Sequence, residues 1–165
     1  MSTETRERDE RTFDIFGVQI KFLVAPEQTS DKISVYHGTL PPGIVIPLHS
    51  HAEPEVFYVL DGGLEVYRES DAGGGWSTTQ AGDVVAVAGD VKHALRNTSS
   101  QPVTTVAITQ DHLYRFFREV AKPVDGREPA PPSPEEMQHF FAVAARHGYW
   151  MGSPEENAAI GIRLG

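Results

Sequence analysis

His49, His51 and Glu55, two imidazoles and a carboxylate able to bind a metal ion, stand within the stretch GIVIPLHSHAEPEVFYVLDG (residues 43–62). Residues two apart in an extended chain point to one face, so the two imidazoles project together. Glu55 shares their parity, but Pro54 introduces a bend, and parity alone does not place the carboxylate. A further histidine, His93, stands in GDVVAVAGDVKHALRN (residues 82–97). If neighbouring strands bring it beside the first pair, three imidazoles and one carboxylate meet. Such a nitrogen and oxygen site suits Fe, Mn, Ni, Co, Cu or Zn and leaves positions open for substrate or dioxygen. The chain has no cysteine, which excludes thiolate metal sites and disulfides. His37, His112, His139 and His147 show no comparable register and read as ordinary residues, although the His37 strand could line the same cavity.

Short strands must position these ligands. From about Thr12 to Gln110 the sequence runs as β-rich segments, among them FDIFGVQIKFLV, KISVYHGTL, EVFYVLDG, GLEVYRE, DVVAVAG and PVTTVAITQ, separated by glycine and proline. That rhythm predicts an all-β antiparallel sandwich or barrel, with Asp61-Gly62-Gly63 as the clearest hairpin signal. VFYVL and VVAVA are apolar on both faces, as expected of strands covered on one side by the opposing sheet and on the other by the interior or a partner. Parity places Val45, Phe57 and Val59 with His49 and Glu55, and Val91 and Leu95 with His93. These five would wall an apolar pocket suited to a flat hydrophobic substrate, or simply fill the barrel.

Beyond residue 110 the period changes. Leu113, Phe116, Phe117 and Val120 fall on one helical face that stops before Pro123. After a proline-rich connector, Ser133 and Glu136 form a capping box, Pro134 takes the first helical position, Met137, Phe140, Phe141 and Ala144 make an apolar stripe, and Gly148 supplies the stop. A third short helix can begin at Ser153. The organisation read from this is a polar arm over residues 1–11, a β domain over 12–110 and a helical extension over 111–165. The phenylalanine stripe is expected to dock on the protein's own body, whether as a lid, on the outside of the sheet or in a dimer.

At 165 residues and a formal net charge of −9, the chain has the length of one domain and a surface that repels phosphate backbones and anionic lipid. Nucleic acid and membrane partners are not expected. The start MSTETRERDERTFD is charged where a secretory signal would be apolar, so the expected location is the cytoplasm.

The spacing Gly43, His49, His51, Glu55, Gly62 matches the first motif of the cupin superfamily at each fixed position, and Gly82, His93 and Asn97 resemble the second. Two positions depart: Ala88 stands where the family usually has proline and Asp90 where it usually has glycine. Asp tolerates left-handed backbone, so the turn before His93 is expected to survive. The resemblance implies a β-jelly roll holding one divalent transition metal ion per chain through His49, His51, Glu55 and His93. Gly43, Gly62, Gly63, Gly82 and Asn97 read as structural. YRFFREVAKP, after the last strand, resembles the helix that follows the barrel in bacterial quercetinase-like monocupins. That likeness implies a metal-dependent dioxygenase acting on a small aromatic or enolic compound, with Glu55 as ligand, general base or both. The alternatives are a non-oxidative isomerase, cyclase, lyase or decarboxylase at the same metal, and a ligand-binding cupin without catalysis. Cupin domains commonly pair through their sheets, which implies a homodimer.

Overall fold

In ISVYHGTL, small or apolar residues alternate with exposed or half-exposed ones, the period a strand needs to bury one face. The segment forms β3 (Ile33–Leu40) of a computed structural model that describes residues 11–128 and 130–165. The polar arm expected over residues 1–11 lies outside the described residues except for Arg11. β3 pairs with β2 (Val18–Val24) on one side and β10 (Val103–Gln110) on the other. With β1 (Phe13–Ile15), β5 (Glu55–Asp61), β8 (Val84–Val87) and β11 (Lys122–Pro123) they make a seven-stranded sheet in the order β11-β1-β2-β3-β10-β5-β8. The second sheet has five strands, β12-β4-β9-β6-β7, built from β4 (Val45–Ser50), β6 (Glu65–Arg68), β7 (Gly75–Thr78), β9 (His93–Arg96) and β12 (Trp150–Met151). Every pairing is antiparallel. The two sheets pack face to face as a β-jelly roll whose core contains Ile20, Phe22, Leu40, Phe57, Val59, Leu64, Val66, Val85, Leu95 and Val103.

One local expectation is overturned. Asp61-Gly62-Gly63 does not close a hairpin: β5 belongs to the seven-stranded sheet and β6 to the five-stranded one, so the turn carries the chain across the sandwich. Gly62 is required there for a reason the hairpin reading did not contain. Its φ is +81°, and a Cβ would stand 2.8 Å from the carbonyl oxygen of Pro102. The segment FDIFGVQIKFLV is likewise two strands, folded back at Phe16-Gly17.

Both faces of VFYVL are apolar, and the structure covers only one. Tyr58, Leu60, Val84 and Ile108 are exposed on the outer face of the larger sheet, at 46%, 42%, 62% and 43%. Tyr58 lies opposite Val84, and Ile108 opposite Val56, so these side chains form a patch across three strands.

The chain beyond β10 forms α1 (Asp111–Val120), α2 (Pro134–Arg146) and α3 (Pro154–Ala159). Ser133 and Glu136 cap α2 reciprocally, and Ser153 and Glu156 cap α3 in the same way. Leu113 and Phe116 of α1 bury themselves with Val143, Ala144 and Tyr149, while Phe117 meets Tyr36 edge-on at 5.3 Å. The extension is not purely helical. It supplies β11 and β12 as edge strands, where Pro123 is tolerated because an edge leaves its missing N–H unmissed.

Asn97 is buried and ties the loop between β9 and β10. Its amide donates to the carbonyls of Leu40 and Gln101 at 2.9 and 2.7 Å, and its oxygen accepts from the Ser99 backbone and hydroxyl at 3.0 and 2.7 Å. Asn97→Ala is expected to destabilise the fold by about 2–4 kcal/mol, because it strands buried carbonyls and removes several bonds at once. Urea denaturation monitored by tryptophan fluorescence measures this, and a loss below about 0.5 kcal/mol would contradict it.

Candidate metal centre

β4 and β9 run side by side, with His49 directly opposite His93 and their ring centroids 4.2 Å apart. A bulge between Ile46 and His49 sets this register. It also inverts the alternation upstream: Ile46 faces Leu95, and Val45 faces Arg96. His51 follows just beyond the end of β4, and Glu55 opens β5. The turn before His93 is locked to this strand. Asp90 adopts φ +63°, the left-handed conformation expected for that position, and its N–H donates to the carbonyl of His51 at 2.8 Å. Gly89 packs so closely that a Cβ would lie 2.2 Å from the carbonyl oxygen of Ala52.

The four side chains converge. One donor atom from each of His49, His51, Glu55 and His93 lies within 4.8 Å of all the others. Donors around a transition-metal ion at about 2.0–2.2 Å are at most about 4.4 Å apart, so adjustments of a few tenths of an ångström would suffice. The tautomers are fixed by backbone. Nδ1 of His49 lies 2.7 Å from the carbonyl of Pro47, and Nδ1 of His51 and His93 lie 2.8 Å from the carbonyls of Glu53 and Val91. A carbonyl only accepts, so each Nδ1 carries the proton and each Nε2 presents a lone pair inward. Nε2 of His51 and of His93 are buried without a hydrogen-bond partner. His51 Nε2 is 2.8 Å from Glu55 Oε1, close enough for an ion pair, yet its direction forms no hydrogen bond. Buried donor atoms left without partners and gathered this closely are what a shared ion satisfies. The cluster is suited to one metal ion.

Electrostatics act in opposite directions on His49 and His51. Enclosure, reinforced by the neighbouring imidazoles of His93 and His51, pushes the His49 pKa down to about 3, so this ring is neutral and ready to ligate. Burial works to raise the Glu55 pKa, but His51 and His93 outweigh it and hold the carboxyl well below the usual range. For His51 burial works to lower the pKa, and the adjacent Glu55 carboxylate reverses the sign and raises it. Tyr36 is pushed up by burial and by Glu55, stays protonated, and donates to Glu55 Oε2 at 3.1 Å. A metal ion must displace the proton that His51 retains below its raised pKa. Metal affinity is therefore expected to rise with pH through the neutral range and fall as pH drops. Chelator competition at several pH values tests this, and a pH-independent affinity would count against it.

A cavity of about 420 Å³ opens onto His49, His51 and Glu55. Of the five expected wall residues, Phe57 and Leu95 line it, and Val45 does so from a 41% exposed position at its edge, having lost the inward face to Ile46 through the bulge. Val59 and Val91 do not line it. Val59 is fully buried in the core one step deeper along β5, and Val91 lies in the turn before β9, where strand alternation no longer applies. The helical extension contributes Phe116, Phe117, Phe140 and Phe141 to the walls. The stripe thus docks on the body and encloses the cavity together.

The other histidines stay outside the cluster. His37 sits on the face of β3 opposite Tyr36, His112 pairs with Glu53 at 3.2 Å, His139 meets the Glu119 carbonyl at 3.3 Å and His147 meets the Glu119 carboxylate at 2.8 Å. Sequence reasoning missed Tyr36 and Asn157. Asn157 is buried in α3, and its side-chain oxygen accepts from the N–H of Leu48, the residue before His49, at 2.8 Å. A partner 109 positions away leaves no local signal.

The fold has relatives of known structure. Oxalate decarboxylase of Bacillus subtilis is 24% identical with a TM-score of 0.53 over 61% of this chain and 27% of that one. Work on the same enzyme describes Mn(II) centres. Oxalate decarboxylase of Lactobacillus farciminis is 19% identical, TM-score 0.54, over 62% and 31%. A protein of Thermotoga maritima described as a predicted oxalate decarboxylase is 23% identical, TM-score 0.54, over 62% and 95%. The chain spans roughly a third or less of the Bacillus and Lactobacillus proteins. At these identities the likeness shows the fold alone. No curated protein matches the chain. The cupin domain family matches residues 36–109, a little under half of the chain and the span that carries all four clustered side chains.

Proposed function

We propose that the protein is a metal-dependent enzyme acting on a small aromatic or enolic compound, as a quercetinase-like dioxygenase. The observation that carries this reading is the cavity. Its walls are mainly phenylalanine, leucine, isoleucine, valine and methionine, with Tyr36, Tyr149 and Thr105 among them; it reaches His49, His51 and Glu55, and among the described residues no lysine or arginine lines it. A flat apolar body fits such walls, and an anionic oxygen finds its only counter-charge at the cluster. In this reading His49, His51, Glu55 and His93 hold one divalent transition metal ion, and Glu55 also accepts the substrate's hydroxyl proton. The ion would supply Lewis acidity that favours the deprotonated enol. Tyr36 holds Glu55 Oε2 and leaves Oε1 facing the imidazoles, which orients the carboxylate for either duty. The aromatic side chains of the two helices exclude water from the apolar end.

A second reading keeps the metal and drops dioxygen: a decarboxylase, isomerase, cyclase or lyase in which Glu55 shuttles a proton. The names of the structural relatives favour decarboxylation. Oxalate itself suits this cavity poorly, because a small dianion asks for cationic walls. Metal analysis of the purified protein followed by oxygen-electrode assays on flavonols and other enols separates the readings. Oxygen uptake stoichiometric with substrate loss supports the dioxygenase, and product without oxygen uptake supports the second reading. Tight binding without turnover would leave a ligand-binding cupin.

We also propose a cytoplasmic homodimer paired through the outer face of the larger sheet. The exposed patch of Tyr58, Leu60, Val84 and Ile108 supports the pairing, and no described helix is long and apolar enough to cross a membrane. Light scattering is expected to give twice the 18.1 kDa chain mass at micromolar concentration, and Tyr58→Glu is expected to halve it. A wild-type monomer would contradict the pairing.

A further inference from the structure

Among the described residues, the buried side-chain atoms without a hydrogen-bond partner fall into two groups. Nε2 of His51 and of His93 belong to the metal cluster. The others are Glu53 Oε2, Tyr149 Oη and His147 Nδ1. Glu53 Oε2 lies 3.7 Å from Nδ1 of His51, too far for a hydrogen bond but beside the ring nitrogen that does not face the cluster. Enclosing a carboxylate costs several kcal/mol unless a counter-charge meets it. Glu53 and Glu55 are the only buried acids among the described residues, and no lysine or arginine among them is buried. Outside the cluster the ion-pair partner of Glu53 is His112, 3.2 Å from Oε1, but the His112 side chain is 61% exposed, where water screens the pair. Arg115 lines the same surface hollow and pairs instead with Asp111 at 3.4 Å. Tyr149 supplies no positive charge either: burial raises its pKa and the Glu53 charge adds to the effect, so the phenol stays protonated.

We infer that Glu53 is a positioning residue for the metal centre, acting through His51 as the second counter-charge that lets an enclosed cluster accept a divalent ion without a net charge. This rests on the metal-binding part of the proposed function, in which His49, His51, Glu55 and His93 hold one divalent ion, and is independent of the substrate. Three neutral imidazoles and the Glu55 carboxylate around such an ion carry one surplus positive charge. An enclosed site cannot pass that charge to water. The Glu53 carboxylate cancels it from beside the His51 ring, and its attraction for the Nδ1 proton leaves more electron density on Nε2. Glu53 does not line the cavity, so its effect reaches the cluster only through that ring and the field it sets there. A buried carboxylate with one screened partner is retained because the ion completes its neutralisation.

The experiment titrates the metal-free full chain with Zn(II) in competition with a chromophoric chelator, and follows thermal melts of the same metal-free samples. Glu53→Gln keeps the size of the side chain and removes its charge. It is expected to weaken Zn(II) binding by about 10–100-fold, the usual effect of losing an outer partner of a ligating histidine. The midpoint of the metal-free variant is expected to hold or rise, because one of two like charges buried together is gone. A role confined to the pair with His112 gives the opposite pattern, a lower midpoint with Zn(II) affinity unchanged. Glu53→Asp, which keeps the charge, is expected to recover most of the affinity, and Glu27→Gln, which removes a charge from an exposed position, is expected to match wild type. Unchanged affinity in Glu53→Gln, or equal weakening in Glu27→Gln, overturns the assignment while leaving the metal centre standing. So does a metal-free midpoint lowered by about 4 °C or more, which would make Glu53 a packing residue. A wild type that binds no Zn(II) overturns the metal centre and the assignment with it.

Discussion

His51→Ala is expected to strip the protein of bound metal and of turnover. His51 Nε2 is buried, lacks a hydrogen-bond partner, and sits between Glu55 Oε1 at 2.8 Å and the His93 ring, with centroids 5.1 Å apart. Alanine leaves two imidazoles and one carboxylate of the four clustered donors. Residues that merely orient a ligand cost about 10–100-fold in affinity when lost, so removal of a ligand should cost more. Elemental analysis after dialysis against a weak chelator gives the result directly: near one equivalent in the wild type and close to none in the variant. His139→Ala provides the control, since His139 lies on α2 against the Glu119 carbonyl. Equal metal loss in both variants would mean that different histidines hold the ion.

Glu55→Gln separates holding the metal from moving a proton. The amide keeps the size of the side chain and can still accept from Tyr36, so the three imidazoles remain positioned. Metal content is expected to stay near the wild-type level or fall modestly. Turnover is expected to fall by about 10²–10⁴-fold, the usual contribution of a positioned general base. A decline in kcat at constant metal occupancy supports the base role. Full activity would remove it, and complete metal loss would make the carboxylate chiefly a ligand.

Only the His49 and His51 pair was legible from local spacing; Glu55 and His93 were expected in the cluster through the family resemblance. His49 and His51 need only strand alternation, and Asp90 needs only its tolerance of left-handed backbone, which it adopts at +63°. Helix caps at Ser133 and Ser153 were legible for the same reason. What escaped depends on partners distant in the chain. A turn signal such as Asp61-Gly62-Gly63 announces a reversal without saying which sheet receives the next strand. Parity counting put Val45 on the inward face, and it lines the cavity only from the edge, because a bulge between Ile46 and His49 inserts a step that no residue type there announces. Tyr36 reaches Glu55 across 19 positions and Asn157 reaches Leu48 across 109.

The last of these contacts bears on the order in which the protein matures. Asn157 and β12 hold β4 at Leu48, Ser50 and His49, so the strand bearing the first two histidines is braced by residues synthesised long after it. A nascent chain can close the β3–β10 and β5–β10 ladders once residue 110 has emerged, yet its metal-binding strand still lacks an edge partner. Such late, long-range closure is slow relative to local pairing. The strand that carries His49 therefore reaches its final pairing only after residues 150–157 have folded onto it.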